Sequence, residues 1–257
     1  LKITALEITT KIGCTNNCSY CPQELLKSRY KDDIKVMSFN TFAECMDKLD
    51  DTAEIHFTGM CEPFLNKDCI DMIKYGALWH KIRVSTTLIG LNLKDIEMLE
   101  GIDFIAFDVH LPAKTGDSIP VNDKYIKLLK AINDSSIDIA YHYHDEDLHP
   151  DIDFIQADMI KAHSRAGNIK WKETTVKTGV VKCIRKRRHP VLLPNGDLVI
   201  CCMDYGLKHI IGSLLTHSIE QIYRGKGYKD FIKALKKGGS ICHFCDDFSY
   251  QKFKEIL

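Results

Sequence analysis

Residues 14–22 read CTNNCSYCP and put Cys14, Cys18 and Cys21 into one loop at spacings of four and three. The run before it, ITALEIT (3–9), has the β-branched, apolar content of a strand. The three thiols therefore sit just beyond the end of the first strand, and the next cysteine is Cys45. Thiolates hold zinc or iron-sulfur clusters, and structural sites of either kind use four protein ligands. Three ligands leave one position open, as a catalytic metal site does for its substrate. The triplet points to a cluster with an exchangeable ligand. The alternatives are a zinc site completed by a distant residue and cysteines that only fill core.

Outward from this loop, short β-rich runs alternate with amphipathic ones up to about residue 165. AEIHFTG (53–59), KIRVSTT (81–87), DFIAFDVH (103–110) and IDIAYHYH (137–144) are expected strands. SFNTFAECMDKL (38–49), NKDCIDMIKYGALW (66–79), LKDIEMLE (93–100) and NDKYIKLLKAI (122–132) have helical spacing. Strict alternation with short connections predicts a parallel sheet covered by helices, barrel-like or doubly wound. After about residue 170 the pattern changes. VLLPNGDLVICC (191–202) predicts a hairpin, with Asn195 and Gly196 able to take positive φ, and residues 217–238 predict a helix pair or one interrupted helix.

The 257 residues carry 35 Lys+Arg and 35 Asp+Glu, so the net charge is formally zero and no broad field draws nucleic acid or acidic membranes. No apolar run approaches the ~20 residues of a membrane span, and LKITALEITTK is too short and too charged for a secretory signal. A cytoplasmic protein is expected, with no membrane partner. Its eleven cysteines then read as metal ligands or small buried hydrophobes rather than disulfides.

Cys-x3-Cys-x2-Cys with Tyr20 before the last cysteine resembles the radical S-adenosylmethionine (SAM) superfamily. The resemblance implies a partial (β/α)6 TIM-like barrel over residues 1–168, with a 4Fe-4S cluster on Cys14, Cys18 and Cys21 whose unique iron is chelated by SAM. HFTGMCEPFLN (56–66) is similar to the family's second-strand motif, matching at Gly59, Glu62 and Pro63, with Cys61 in place of a glycine. Gly59 and Glu62 are thereby implied near the SAM amino group. At VSTTLIG (84–90), Ser85, Thr86 and Thr87 offer hydroxyls to the SAM ribose or, equally, cap the strand end. Strand ends carry the chemistry in parallel barrels, and alternation puts Asp108 with His110, and His142 with His144, on common faces. Asp108, His110 and His142 are the candidates for proton transfer. Arg165, in HSRAGN (163–168), resembles an arginine near SAM or substrate in related members, and a guanidinium fork suits carboxylate or hydroxyl-rich ligands.

Cys183-x12-Gly196-x4-Cys201, with IGSLLTHSIEQIY (211–223) after it and CHFC (242–245) at the end, resembles the twitch domain, the shortened SPASM extension of radical SAM enzymes. The resemblance implies a small domain over 169–257 with an auxiliary 4Fe-4S cluster on Cys183, Cys201, Cys242 and Cys245. Cys202, next along an expected strand, should face away from Cys201 and pack. The basic run KCIRKRRHP (182–190) reads as a solvated hairpin face or a patch for an anionic substrate.

The layout resembles that of twitch-bearing dehydrogenases of the deoxy-scyllo-inosamine type and of radical SAM proteins from polysaccharide assembly. That implies a sugar, aminocyclitol or nucleotide-sugar substrate, a one-electron reductant such as flavodoxin or ferredoxin, and oxidation of an alcohol to a ketone. Two rivals stand beside it: modification of a ribosomal peptide, and a zinc protein that binds nucleic acid through its basic run. Peptide modifiers often carry a leader-binding domain before the barrel, and thirteen residues precede Cys14, which favours a small substrate.

Overall fold

The computed structural model describes residues 2–114, 119–144, 147–170, 172–174, 176, 181–183, 185–246 and 251–252. Its centre is a run of six parallel strands in chain order: β1 (Ala5–Ile8), β2 (Glu54–Phe57), β3 (Ile82–Thr86), β4 (Phe104–His110), β5 (Ile139–His144) and β6 (Asp158–Ile160). Between β1 and β2 lie α1 (Gln23–Arg29) and α2 (Phe39–Met46), and one helix fills each of the next three crossovers: α3 (Cys69–Gly76), α4 (Leu93–Leu99) and α5 (Asp123–Asn133). This is the parallel sheet expected from the alternation and the partial (β/α)6 arrangement that the resemblance implied. The short α1 and the three-residue β6 were not expected: QELLKSR follows the cysteine loop without a break, and β6 is mostly exposed and carries no alternating signal.

The helices begin where short polar side chains can satisfy the first free N–H groups. Ser38 Oγ accepts from Thr41 N at 3.1 Å to start α2, and Asn122 Oδ1 accepts from Tyr125 N at 3.0 Å to start α5. Each cap is worth about 1 kcal/mol. The apolar faces then close on the sheet; Phe42 of α2 and Phe57 of β2 are fully buried with ring centroids 5.7 Å apart.

Strand alternation decides what the sheet encloses. Ile55, Phe57, Ile82, Val84, Phe107 and Val109 are all buried on the helix-covered side. The alternate positions are polar, and the register brings them side by side: Glu7 with His56, His56 with Arg83, Ser85 with Asp108, and His110 with His142. The inner face of the sheet is a polar surface that a site can use.

The sheet continues beyond β1. After β7 (Val181–Lys182) and α6 (Arg185–Arg188), β8 (Val191–Leu192) pairs parallel with β1, β9 (Asp197–Val199) returns antiparallel, and β10 (Ile210–Ser213) forms the edge. The hairpin turns at Gly196 with φ +83°, whereas Asn195 keeps a negative φ and uses its side chain instead, its amide donating to Asp32 Oδ2 at 3.1 Å. The expected helix pair is α7 (Ile219–Arg224) and α8 (Lys226–Lys236), interrupted at Gly225. β11 (Gln251–Lys252) pairs with β7. One nine-stranded sheet thus runs through the barrel strands and the hairpin that the sequence assigned to a second unit. Among the described residues, no helix is long and apolar enough to cross a membrane.

Candidate active site

A cavity opens at the C-terminal ends of the parallel strands. It is lined by Cys14, Asn16, Cys18, Tyr20, Cys21 and Gln23 from the loop after β1, by residues 58–62 after β2, by Ser85, Thr86 and Thr87 at the end of β3, and by His110, His144, Arg165 and Tyr205. The cysteine loop bends through left-handed backbone at Gly13 (φ +94°) and Asn17 (φ +45°), residue types that tolerate it. Gln23 fixes the loop's far end: its amide nitrogen donates to Met60 O and to Cys21 Sγ, the latter at 3.6 Å, and its oxygen accepts from Cys14 N at 3.4 Å. Gly59 lets the β2 loop close against β1, since a Cβ there would stand 2.4 Å from Ile8 O.

Glu62 is the anchor of the cavity wall. It is 4% exposed, and its carboxylate accepts from Phe64 N (3.2 Å), Thr86 Oγ1 (2.7 Å), Thr87 N (2.6 Å) and Thr87 Oγ1 (2.7 Å). Burial pushes its pKa up, and these donors pull against that. Both threonine hydroxyls already receive an N–H, from Leu88 N at 2.8 Å and from Asn16 Nδ2 at 2.7 Å. Their own protons therefore point at Glu62, which is the arrangement of an ionised, acceptor-only carboxylate. Its acceptor positions are occupied from within the protein, two donors on each oxygen. Ser85 Oγ donates to Asp108 Oδ2 at 3.3 Å. The hydroxyls expected to meet a ribose thus all face carboxylates.

The imidazoles form a second wall. His110 and His144 line the cavity; Asp108 and His142 do not and stand behind them. His144 Nε2 lies 3.2 Å from His110 Nδ1, and the ring of Tyr20 lies 4.0 Å from that of His144. Behind, His142 Nε2 is 3.6 Å from Asp108 Oδ1, and Asp108 Oδ2 accepts from Arg83 at 3.1 Å. Burial, then the neighbouring His142, lowers the His110 pKa to about 4, against the attraction of Asp108.

Arg165 enters from a turn in which three successive residues, Arg165, Ala166 and Gly167, have φ of +50°, +55° and +77°. Non-glycine residues adopt this region at a cost of about 1–3 kcal/mol each, and surrounding bonds hold them there. Asn168 Nδ2 donates to Arg165 O (2.6 Å) and Met203 O (3.2 Å), and Ser164 N donates to Asp246 Oδ2 (2.7 Å). Burial opposes the guanidinium charge, and the Tyr205, Cys21, Cys202 and Tyr20 groups outweigh it, raising the pKa. Tyr205 Oη is itself 3.7 Å from Cys21 Sγ.

The second cysteine set lies in the C-terminal segment, where Cys183 is near Cys242. Cys201 and Cys242 are buried, while Cys183 and Cys245 are partly buried against the same core. Cys202 does not face away from Cys201. β9 ends at Val199, so strand alternation stops short of both residues; the two thiols perturb each other's ionisation, and Arg185 donates to Cys202 Sγ at 3.3 Å. Glu7 of β1, 5% exposed, is near Cys202, and burial pushes its carboxyl pKa up. The basic run is only partly a solvated face: Arg188 is exposed, whereas Arg185 meets Cys202 and Lys186 is 6% exposed. Ile184 falls outside the described residues.

Residues 183–246 match the family model of the SPASM iron-sulfur cluster-binding domain. A solved structure of BtrN in complex with AdoMet and 2-DOIA is similar over 98% of this chain and 96% of that one, with a TM-score of 0.69 at 18% identity. This chain has the radical SAM fold with a SPASM-type domain. Streptococcus suis SuiB bound to the precursor peptide SuiA shares the fold with a TM-score of 0.67 over 91% of this chain and 67% of that one, at 12% identity. Native anSMEcpe with bound AdoMet gives 0.60 over 90% and 83%, also at 12% identity. Comparison with curated proteins finds no match.

The cavity fits the groups that the fold implies. None of the eleven cysteines is in a disulfide, the first three line one cavity, and Cys21 is met by two polar groups, Gln23 Nε2 and Tyr205 Oη, able to donate to a thiolate. Among the described residues, no three His, Cys, Asp or Glu side chains converge as ligands of a single metal ion. Tyr205, Glu7 and Gln23 were missed by sequence reasoning. An acid inside the otherwise apolar ALEI of β1 was a legible sign for Glu7, while Tyr205 has no local signal.

Proposed function

We propose that this chain is a radical SAM oxidoreductase that takes a hydrogen atom from a sugar- or cyclitol-like alcohol and oxidises it to a ketone. Supporting this is the makeup of one cavity: three thiols on one wall, two imidazoles and a guanidinium on another, and Tyr205 of the iron-sulfur segment between them. Bound there, a reduced 4Fe-4S cluster and SAM would supply the 5'-deoxyadenosyl radical, and the second cluster an electron acceptor.

The chain's own residues do the rest. Cys14, Cys18 and Cys21 hold the first cluster, and Cys183, Cys201, Cys242 and Cys245 the second. Gly59 keeps the wall beside SAM thin. Glu62 draws Thr86 and Thr87 together and, with Ser85 and Tyr20, shapes the nucleoside side of the cavity. Arg165, fixed by its left-handed turn, offers a fork of donors to the substrate's hydroxyls. His110 receives the proton, and Asp108 stands behind it to favour the resulting cation, its carboxylate held by Arg83 and beside His142. A one-electron reductant of the flavodoxin or ferredoxin class primes the first cluster.

The structure of SuiB with a peptide keeps a second reading in view, in which the hydrogen comes from a peptide side chain. One experiment separates them: anaerobic incubation with SAM, reductant and carbon-deuterated sugars, cyclitols and peptides, following deuterium in 5'-deoxyadenosine by mass spectrometry. Deuterium from an alcohol together with a ketone product supports the proposal. Deuterium from peptides alone rejects it.

A further inference from the structure

We propose that His144 is a positioning residue that fixes the tautomer of His110, so that the His110–His144 pair takes up the hydroxyl proton when the substrate becomes a ketone. The substrate step rests on the alcohol-oxidation reading above; the geometry of the pair does not.

The two ring planes are parallel to within 4°, with centroids 5.1 Å apart and the facing nitrogens in hydrogen-bond contact at 3.2 Å. At that distance an N–H of one ring can donate to the lone pair of the other. Because the contact uses Nδ1 of His110, it leaves Nε2 as the nitrogen available to the cavity that His110 lines. For Nε2 to accept a proton, Nδ1 must carry one and donate it to His144 Nε2. His144, 9% exposed and held against the ring of Tyr20, is placed to be that acceptor. This is the logic of a base oriented by a third group.

The balance is complete. The carbinol C–H breaks and its hydrogen atom goes to the 5'-deoxyadenosyl radical. The O–H proton goes to His110 Nε2, the remaining electron passes to the auxiliary iron-sulfur cluster, and the C=O forms. The charged and titratable groups facing His110 are Asp108 on its own strand, His142 and His144 on β5, and Arg165. Burial and these cations keep His110 neutral at pH 7, so it is free to accept. A weak base suffices at that moment, because losing the hydrogen atom makes the adjacent hydroxyl far more acidic than in the parent alcohol.

The test uses anaerobically reconstituted protein with His144→Phe, which keeps a ring against Tyr20 but offers no acceptor, and His144→Gln, whose amide oxygen restores one. Ketone formation should fall about 100-fold in His144→Phe, the lower range for a general base. Deuterium transfer into 5'-deoxyadenosine should persist, and His144→Gln should recover most of the ketone. Independently of turnover, C2–H exchange of His110, read by mass spectrometry, should be about tenfold faster in His144→Phe and restored in His144→Gln. That estimate treats the contact as worth about one hydrogen bond. Ketone formation within twofold of wild type with unchanged His110 exchange overturns the proposal. If the wild type transfers no deuterium from any labelled alcohol, it is the alcohol reading that fails, and the exchange result alone judges the pair.

Discussion

Replacing Glu62 by Gln changes one oxygen for an NH2 group in a place that has no use for a donor. Oε2 accepts from Thr87 N at 2.6 Å and Thr87 Oγ1 at 2.7 Å; the backbone N–H cannot turn away, and the hydroxyl is already held by Asn16. At 4% exposure, water cannot rescue the orphaned N–H. One buried unsatisfied donor costs about 1–3 kcal/mol, and each lost hydrogen bond to a charged group about 1.5–3. Because the terms overlap, we expect about 3 kcal/mol in total. For a chain of this size that is a drop in Tm of about 6–12 °C, measured by anaerobic differential scanning fluorimetry. Thr87→Val, which removes only the hydroxyl, should cost about 1 kcal/mol. A Glu62→Gln change below about 1 kcal/mol would refute the ionised carboxylate, since a protonated Glu62 would already present a donor of its own.

Two further outcomes are expected. Gly59→Ala should prevent the β2 loop from closing on β1, because its Cβ would meet the Ile8 backbone as well as Thr9 Oγ1, and the backbone cannot swing aside; the variant should lose SAM binding in equilibrium dialysis, and wild-type affinity would contradict this. Burial holds His110 near pKa 4 in the folded state, against about 6.5 unfolded. Between those values the unfolded chain binds more protons, so this stabilisation is complete above about pH 6.5 and is lost as pH falls toward 4. His110→Phe should therefore lose about 2 kcal/mol less than wild type between pH 7 and pH 5 in urea unfolding; parallel curves would sink the assignment.

The strand-helix alternation was readable because each element carries its own period, as IRVST does with buried Ile82, Val84 and Thr86. The cysteine triplet was readable because its spacing is local. What could not be read depends on where distant segments meet. Tyr205 reaches Cys21 across 184 positions, and Asn16 reaches Thr87 across 71. The turn at Arg165 was missed for a different reason: left-handed backbone at Arg and Ala runs against residue preference, and it is sustained by local bonds together with distant tethers to Met203 and Asp246. Cys202 was misplaced because alternation was carried three residues past the end of β9.

The most direct test is low-temperature EPR of the anaerobically reconstituted, dithionite-reduced protein, with and without SAM, in wild type and in a variant with Cys14, Cys18 and Cys21 replaced by Ala. The account predicts two cluster signals in wild type, of which SAM shifts one, and a single SAM-insensitive signal in the variant with no 5'-deoxyadenosine formed. A variant that keeps a SAM-responsive signal, or still cleaves SAM, would contradict it.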